Sequence, residues 1–468
     1  MNALPRTPLT RGVGHYFPVS WLAVCCLCLC LFTASPAGAF RFGINADNWS
    51  GQISHAAFED AAVAMGVEFI VWHISPYEED NPQYLMQIVD FCRKLGIGYA
   101  FNTEVVNYLP DYGPFRQADG TFRWDLKPET MELLADDPLF LGVVYDEPML
   151  MQELNGTEMS SDYVVSPYFA QTKSRSILAA RNLVVDKIHE LALYYGSYGK
   201  RLIFEMVFPD YAHTAARAGA LLAPKFLKEN YNDLMFAVFG SAAHQYGQAE
   251  LWGCIDLWFL DRFPENGYYT TGYHTPQELY ETLVYVYEQG VDYAYIENAK
   301  GLMDESFTLT DFGKKVVEFQ AVRSGLTAGD WRRPSVDYIL SRLPDGYWGQ
   351  AYSLFVPDHP YGSWRKSGND DTRHQYYLYA LHKLSAGAIP QEANNWNAVY
   401  LPYYAATSYE MMSGLLPTYF VDEQFPLPEA SQAGISGIDI DSDITVLKVP
   451  LPLQNDATPA IRNLLLTP

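Results

Sequence analysis

The chain has 468 residues, 49% hydrophobic and 18% charged, enough apolar material for a large packed core and unlike the composition of a disordered chain. Its 31 Lys and Arg against 55 Asp and Glu give a formal net charge of -24, which repels phosphate backbones and anionic lipid and argues against a nucleic-acid partner. Aromatic residues make up 15%; most belong in a core, but their flat faces and polar edges also suit stacking against sugar rings.

The N-terminus carries Arg6 and Arg11, then the apolar run VSWLAVCCLCLCLF, then the small residues ASPAGA before Phe40. This is the pattern of a secretory signal peptide over 1–39, cleaved after Ala39, and its apolar run is shorter than the roughly 20 residues of a membrane span. The expected destination is extracellular or periplasmic, with no membrane partner after cleavage. Cys25, Cys26, Cys28 and Cys30 leave with the leader, so the mature chain keeps only Cys92 and Cys254. No disulfide framework and no metal cluster is legible in the spacing, and no cofactor or metal is expected.

From Phe40 onward short apolar runs alternate with segments of helical period, the sign of βα units and a parallel sheet. FRFGIN (40–45) precedes the helical HAAFEDAAVAMG, VEFIVWHI (67–74) precedes PQYLMQIVDFCRKLG, and IGYAFNTE (97–104) is followed after a long loop by PETMELLADD. FLGVVYDE (140–147) leads to a helix over about 173–195, and RLIFEMVF (201–208) to AARAGALLAPKFLKENY, which scans as one helix. DLMFAVFG (233–240) is taken as the sixth strand, GCIDLWFLD (253–261) as the seventh and DYAYIEN (292–298) as the eighth, with TLTDFGKKVVEFQAVRSG as the closing helix. Eight such units predict an α/β fold, a (β/α)8 barrel over 40–325. Beyond Gly325, TAGDWRRP reads as a linker and 326–468 as a smaller accessory domain, α/β or β-rich, with a strand in ITVLKVPLPL.

In such a barrel the C-terminal strand ends face the active site. Here they deliver Asn45 and Asp47, Trp72 and His73, Asn102 and Glu104, Asp146 and Glu147, Glu205, Asp261, and Glu297 and Asn298. Carboxylates gathered on one face repel and must be hydrated, paired or protonated, a cost that a purely structural barrel has no reason to carry. Glycosidic cleavage uses such crowding: one carboxyl protonates the leaving oxygen while a second attacks the anomeric carbon or activates water. Tyr77, Tyr145, Trp258 and Tyr295 are candidate walls for sugar subsites.

The segment GVVYDEP resembles the end of strand four in barrel glycoside hydrolases that carry an Asn-Glu-Pro or Asp-Glu-Pro tripeptide. The resemblance implies Glu147 as proton donor and Asp146 as its orienting neighbour. It also implies a second carboxylate near the end of strand seven, for which Glu297 is the first candidate and Asp261 the second. Asp146, Glu205, Glu104, Asn102, His73, Trp72, Tyr145, Trp258 and Asn298 are candidate substrate contacts. Two alternatives stand beside this reading: a hexosaminidase-type barrel using the substrate's acetamido group as nucleophile, and a barrel that binds glycan without cleaving it. No G-x-S-x-G elbow, phosphate-binding glycine loop or H-E-x-x-H pair occurs.

Overall fold

The computed structural model describes residues within 40–325, with its longer gaps at 47–54, 105–114, 153–168, 227–238 and 258–274, and four strands beyond 325. Eight parallel strands close into a barrel in chain order: β1 (Arg41–Ala46), β2 (Phe69–His73), β3 (Gly98–Asn102), β4 (Phe140–Asp146), β5 (Arg201–Met206), β6 (Leu221–Phe226), β7 (Trp252–Ile255) and β8 (Tyr293–Ile296), which pairs back onto β1. The helices are α1 (Ala56–Ala64), α2 (Pro76–Glu79), α3 (Pro82–Leu95), α4 (Pro128–Leu134), α5 (Ile177–Ser197), α6 (Ala212–Ala218), α7 (Pro276–Glu288), α8 (Ala299–Leu302) and α9 (Asp311–Arg323). The (β/α)8 class expected from the alternation is the one observed.

Local chemistry sets the element ends. In α3, Pro82 fills the first turn, where its missing N–H costs nothing; Asn81 Oδ1 accepts from Tyr84 N, and Gly96 closes the helix at φ 68. In α2, Ser75 and Glu78 form a reciprocal capping box.

One strand lies where the sequence reading put a helix. AARAGALLAPKF is a short helix, α6, broken after Ala218 by Gly219 at φ 101, and then β6. Pro224 belongs to that strand, pairing with Met206 of β5, whereas in a helix interior its ring would clash with the preceding turn. The segment 233–240 is therefore not the sixth strand: Phe239 and Gly240 are helical, and 233–238 lie outside the described residues.

Strand residues alternate between two cores. Outward side chains such as Phe42, Ile44, Trp72, Phe101, Tyr145 and Phe204 pack under the helices. Inward ones (Phe69, Val71, Ala100, Leu141, Val144, Ile203, Ala223, Trp252, Cys254, Tyr293 and Tyr295) fill the barrel. Trp252 stacks on Tyr293 with centroids 4.5 Å apart, and Phe69 meets Trp252, Tyr293 and Tyr295 edge-on, making an aromatic plug. Gly43 makes room for it, since a Cβ there would lie 2.5 Å from the Phe69 ring.

β4 changes phase partway along. Tyr99 pairs with Phe140 but Ala100 with Gly142, so Leu141 is an extra residue, a bulge. Leu141 and Val144 both belong to the inner core while Val143 faces the helices, so the inward set moves from odd to even numbers. Gly142 sits at φ 148 with Arg201 O only 2.4 Å from where a Cβ would be.

Beyond 325 the described residues are β9 (Tyr338–Arg342), β10 (Thr418–Val421), β11 (Ser436–Asp441) and β12 (Ile444–Lys448), a mixed sheet in the order β10-β9-β12-β11. The leader over 1–39 lies outside the described residues. Among the described residues no helix is long and apolar enough to cross a membrane.

Candidate active site

At the C-terminal end of the barrel the inward positions turn polar. Asn45, His73, Asn102, Asp146, Glu205, Lys225 and Glu297 are the next inward residues on or directly after β1, β2, β3, β4, β5, β6 and β8, and Asp256 follows β7. The strand ladders extend to Glu147, whose N–H donates to Glu205 O at 2.9 Å, and to Glu297, whose N–H donates to Ile255 O at 2.9 Å.

Lys225 is the hub. Its buried Nζ lies 3.3 Å from Asp146 Oδ1, 3.2 Å from Glu147 Oε1, 3.1 Å from Glu205 Oε1 and 3.1 Å from Glu297 Oε2. Burial pulls the amine's pKa down, but Asp146, Glu147, Glu297 and Glu205 outweigh it and hold Lys225 as an ammonium well above its ordinary value. Burial, then repulsion from Asp146, pushes Glu205 well above the carboxylate range against the pull of Lys225. The Tyr295 hydroxyl donates to Glu205 Oε2 from the layer beneath.

Beside this hub stands a second group. His73 Nε2 lies 3.4 Å from Glu104 Oε2 and 4.0 Å from Asp146 Oδ2, and Asn45 Nδ2 is 3.1 Å from the same ring nitrogen. Asn102 ties the group together, donating from Nδ2 to Asp146 Oδ2 at 3.2 Å and accepting the Glu104 N–H at 2.8 Å. Burial first, then Asp146, raises Glu104 to about 8, with Glu297 adding to the shift and His73 and Lys225 opposing it.

Glu147 differs from its neighbours in two ways. Its side chain keeps 22% exposure where those of Asp146 and Glu205 are at 0%, and its backbone is left-handed at φ 48. In an extended strand residues 146 and 147 would point to opposite faces; the left-handed turn brings both carboxylates to Lys225. Such strain in a non-glycine residue costs on the order of 1 kcal/mol and concentrates at functional sites. Cys254 donates a weak S–H bond to Glu297 Oε2 at 3.6 Å, and burial raises its thiol well above the usual range.

The barrel thus gathers Glu147, Glu297, Asp146, Glu205, Glu104, Asn102 and His73 of the sequence candidates. Trp72 and Tyr145 are corrections. By strand alternation both point outward, Trp72 against Phe58 and Phe91, and Tyr145 against Phe169 and Phe204 with its hydroxyl donating to Trp124 O at 3.1 Å. Neither faces the mouth. Tyr295 is likewise no subsite wall, since it is buried in the plug below Glu205. Asn298 Nδ2 donates to Leu257 O at 3.3 Å. Asp261, Trp258 and Asp47 lie outside the described residues. With β6 at 221–226, Glu297 follows the eighth strand and not the seventh. The sequence reading missed Lys225, hidden in the supposed helix, and Asp256 just beyond β7; Gly219 and Pro224 were the available signals for the first.

Among the described residues, two triplets bring metal-ligating atoms within 4.8 Å of one another, His73–Glu104–Asp146 and Glu205–Cys254–Glu297. No protein-family model matches the chain, and no curated protein matches it. What fold and site define is a (β/α)8 TIM barrel with a carboxylate-lined mouth around one lysine.

Among solved structures, the catalytic domain of a β-amylase from Paenibacillus polymyxa is similar at 10% identity and TM-score 0.40, covering 62% of this chain and 100% of that one. The catalytic module of a family 98 glycoside hydrolase from Streptococcus pneumoniae, in complex with the H-disaccharide blood group antigen, is similar at 11% identity and TM-score 0.43, covering 86% and 69%. A D-psicose 3-epimerase from Clostridium cellulolyticum, with D-tagatose, is similar at 10% identity and TM-score 0.33, covering 61% and 99%. These are distant likenesses to glycoside hydrolases and a sugar epimerase, and at such identities they bear on the fold alone.

Proposed function

We propose that the protein is a secreted glycoside hydrolase that cleaves O-glycosidic bonds of an oligo- or polysaccharide, with Glu147 as proton donor and Glu297 as the second carboxylate. One observation carries this reading: Glu147 and Glu297, from β4 and β8, share the Lys225 ammonium at 3.2 and 3.1 Å. Their nearest oxygens are therefore no further apart than those two legs laid end to end. Two carboxyls gathered on one cation suit the retaining course, in which the second attacks the anomeric carbon directly. Glu147, the more exposed, protonates the departing glycosidic oxygen while Glu297 attacks the anomeric carbon. Water, deprotonated by Glu147, then releases the sugar and regenerates both groups.

Lys225 argues against a neighbouring class of chemistry. Imine formation needs a neutral amine, and this one is held as an ammonium by the surrounding carboxylates. Its role in the proposed reaction is to fix both side chains and supply countercharge.

The test is reducing-end release from a panel of plant, algal, bacterial and animal glycans by the leader-free protein. Glu147→Gln and Glu297→Gln should each lose on the order of 100- to 10,000-fold in rate while staying folded, and proton NMR of the first-formed anomer should show retention. Cleavage confined to N-acetylated sugars with little loss in Glu297→Gln would support the acetamido-nucleophile alternative. Binding without turnover would make the mouth a recognition surface.

A further inference from the structure

We propose that His73, Glu104 and Asp146 form a site for one divalent transition-metal ion, of the Mn2+, Co2+ or Zn2+ class. The three ligands come from neighbouring strand ends and their meeting is fixed by register. His73 pairs with Asn102 and Asn102 with Val144, so Glu104 and Asp146 each stand two residues beyond a paired position. His73 Nε2 is 3.4 Å from Glu104 Oε2 and 4.0 Å from Asp146 Oδ2, and all three ligand atoms lie within 4.8 Å of one another. Ligands held at about 2.0–2.2 Å from a common ion stand roughly 3–4 Å apart, so an ion fits with only small side-chain adjustments. His73 and Glu104 keep 20% and 13% side-chain exposure, which gives an ion access from the mouth.

The other triplet, Glu205–Cys254–Glu297, supplies the contrast. It already has a cation, because Lys225 Nζ sits 3.1 Å from both of its carboxylates. Lys225 Nζ lies 3.3 Å from Asp146 Oδ1, on the opposite side of the carboxylate from Oδ2, which lies 4.0 Å from His73 Nε2. An outer shell is also in place: Asn102 donates to Asp146 Oδ2 and holds the Glu104 backbone, the kind of support that orients metal ligands. The Asn45 amide beside His73 Nε2, turned end for end, presents Oδ1 as a further oxygen. One imidazole with two carboxylates selects these ions over Mg2+ and Ca2+, which prefer all-oxygen sites. The inference does not depend on the glycosidase reading.

The experiment strips the leader-free protein with a chelator and titrates it calorimetrically with Mn2+, Co2+, Zn2+, Mg2+ and Ca2+. One-to-one binding of the first three is expected, with weaker or no binding of the last two. His73→Ala and Glu104→Gln should each weaken Co2+ binding on the order of 100-fold and Asn102→Ala roughly 10- to 100-fold. Asp311→Asn, at a fully exposed acid, should leave it unchanged. In the wild-type Co2+ complex the ring protons of a single histidine, absent in His73→Gln, should be paramagnetically shifted. Absence of one-to-one binding, equal binding by the His73 and Glu104 variants, or no shifted histidine overturns the site.

Discussion

The lower and upper halves of the barrel interior are built by the same strands and differ in almost everything else. Two residues separate them: Tyr295 from Glu297, Ile203 from Glu205, Ala223 from Lys225, Val144 from Asp146, Ala100 from Asn102. Below the step the side chains are mainly aromatic or aliphatic and held by packing; above it they are charged or amide groups that bond to one another. The plug can be dense because most of its contacts demand only shape, Tyr295 and Cys254 alone reaching up to Glu205 and Glu297 among the bonds described above, whereas the mouth is held in a balance of charge in which each group sets the state of the next. A barrel can therefore carry a costly arrangement at one end because the other end is stabilising.

The largest effect should come from removing the hub. Lys225→Met leaves Asp146, Glu147, Glu205 and Glu297 without their shared ammonium, and should cost about 3–5 kcal/mol at neutral pH. The sign with pH follows from the raised lysine pKa. In the wild type the lysine's contribution is fully present at any pH below its ordinary value near 10.5, so it is constant from pH 5 to 8. Removing the ammonium takes away the one cation that opposes the upward push on Glu205 from burial and Asp146, so the folded variant holds that proton more tightly than the unfolded chain and its deficit should widen as pH rises. Urea denaturation at both pH values checks this, and a loss under about 1 kcal/mol would mean the mouth is hydrated and the charge balance idle.

Breaking the plug instead should cost about as much stability but leave the chemistry of the mouth standing. Trp252→Ala, at a fully buried ring stacked on Tyr293, should lose about 3–5 kcal/mol in urea. Metal and glycan binding by the fraction that stays folded should persist; their collapse would show that the two layers are not separable. A smaller test concerns Tyr145, which points to the helices. Tyr145→Phe should cost about 1–3 kcal/mol through its lost bonds to the Asp125 carboxylate and Trp124 O and leave turnover untouched; a change in KM would restore it to the site. The smallest effect is kinetic. Burial pushes the Cys92 thiol up to about 12, and Cys254 is buried too, so Ellman's reagent at pH 8 should label neither until urea unfolds the chain.

How much of this was legible in the sequence depended on which contacts were local. Alternating apolar runs and helical periods placed seven of the eight strands, because burial on both faces leaves a continuous hydrophobic stretch. β6 escaped because LLAPKF is short, alanine-bearing and carries a lysine, features that favour a helix unless Gly219 and Pro224 are weighed more heavily. The carboxylates at the strand ends could be listed, but not the ammonium that organises them, since its partners lie on three other strands. The direction of Trp72 and Tyr145 was equally hidden: a strand's parity is fixed by pairing, and in β4 that pairing contains a bulge.

That bulge has a consequence for anyone comparing this chain with another barrel. Upstream of Gly142 the odd-numbered residues of β4 face the axis and downstream the even-numbered ones do, so two chains matched without a gap there would have their interior and exterior exchanged for the rest of the strand. Tyr145 would be equated with an acid of the mouth and Asp146 with a residue under a helix. An insertion or deletion of one codon at 141–142 is thus the smallest genetic event able to swap scaffold for site on this strand, and the place where an alignment gap carries the most chemical meaning.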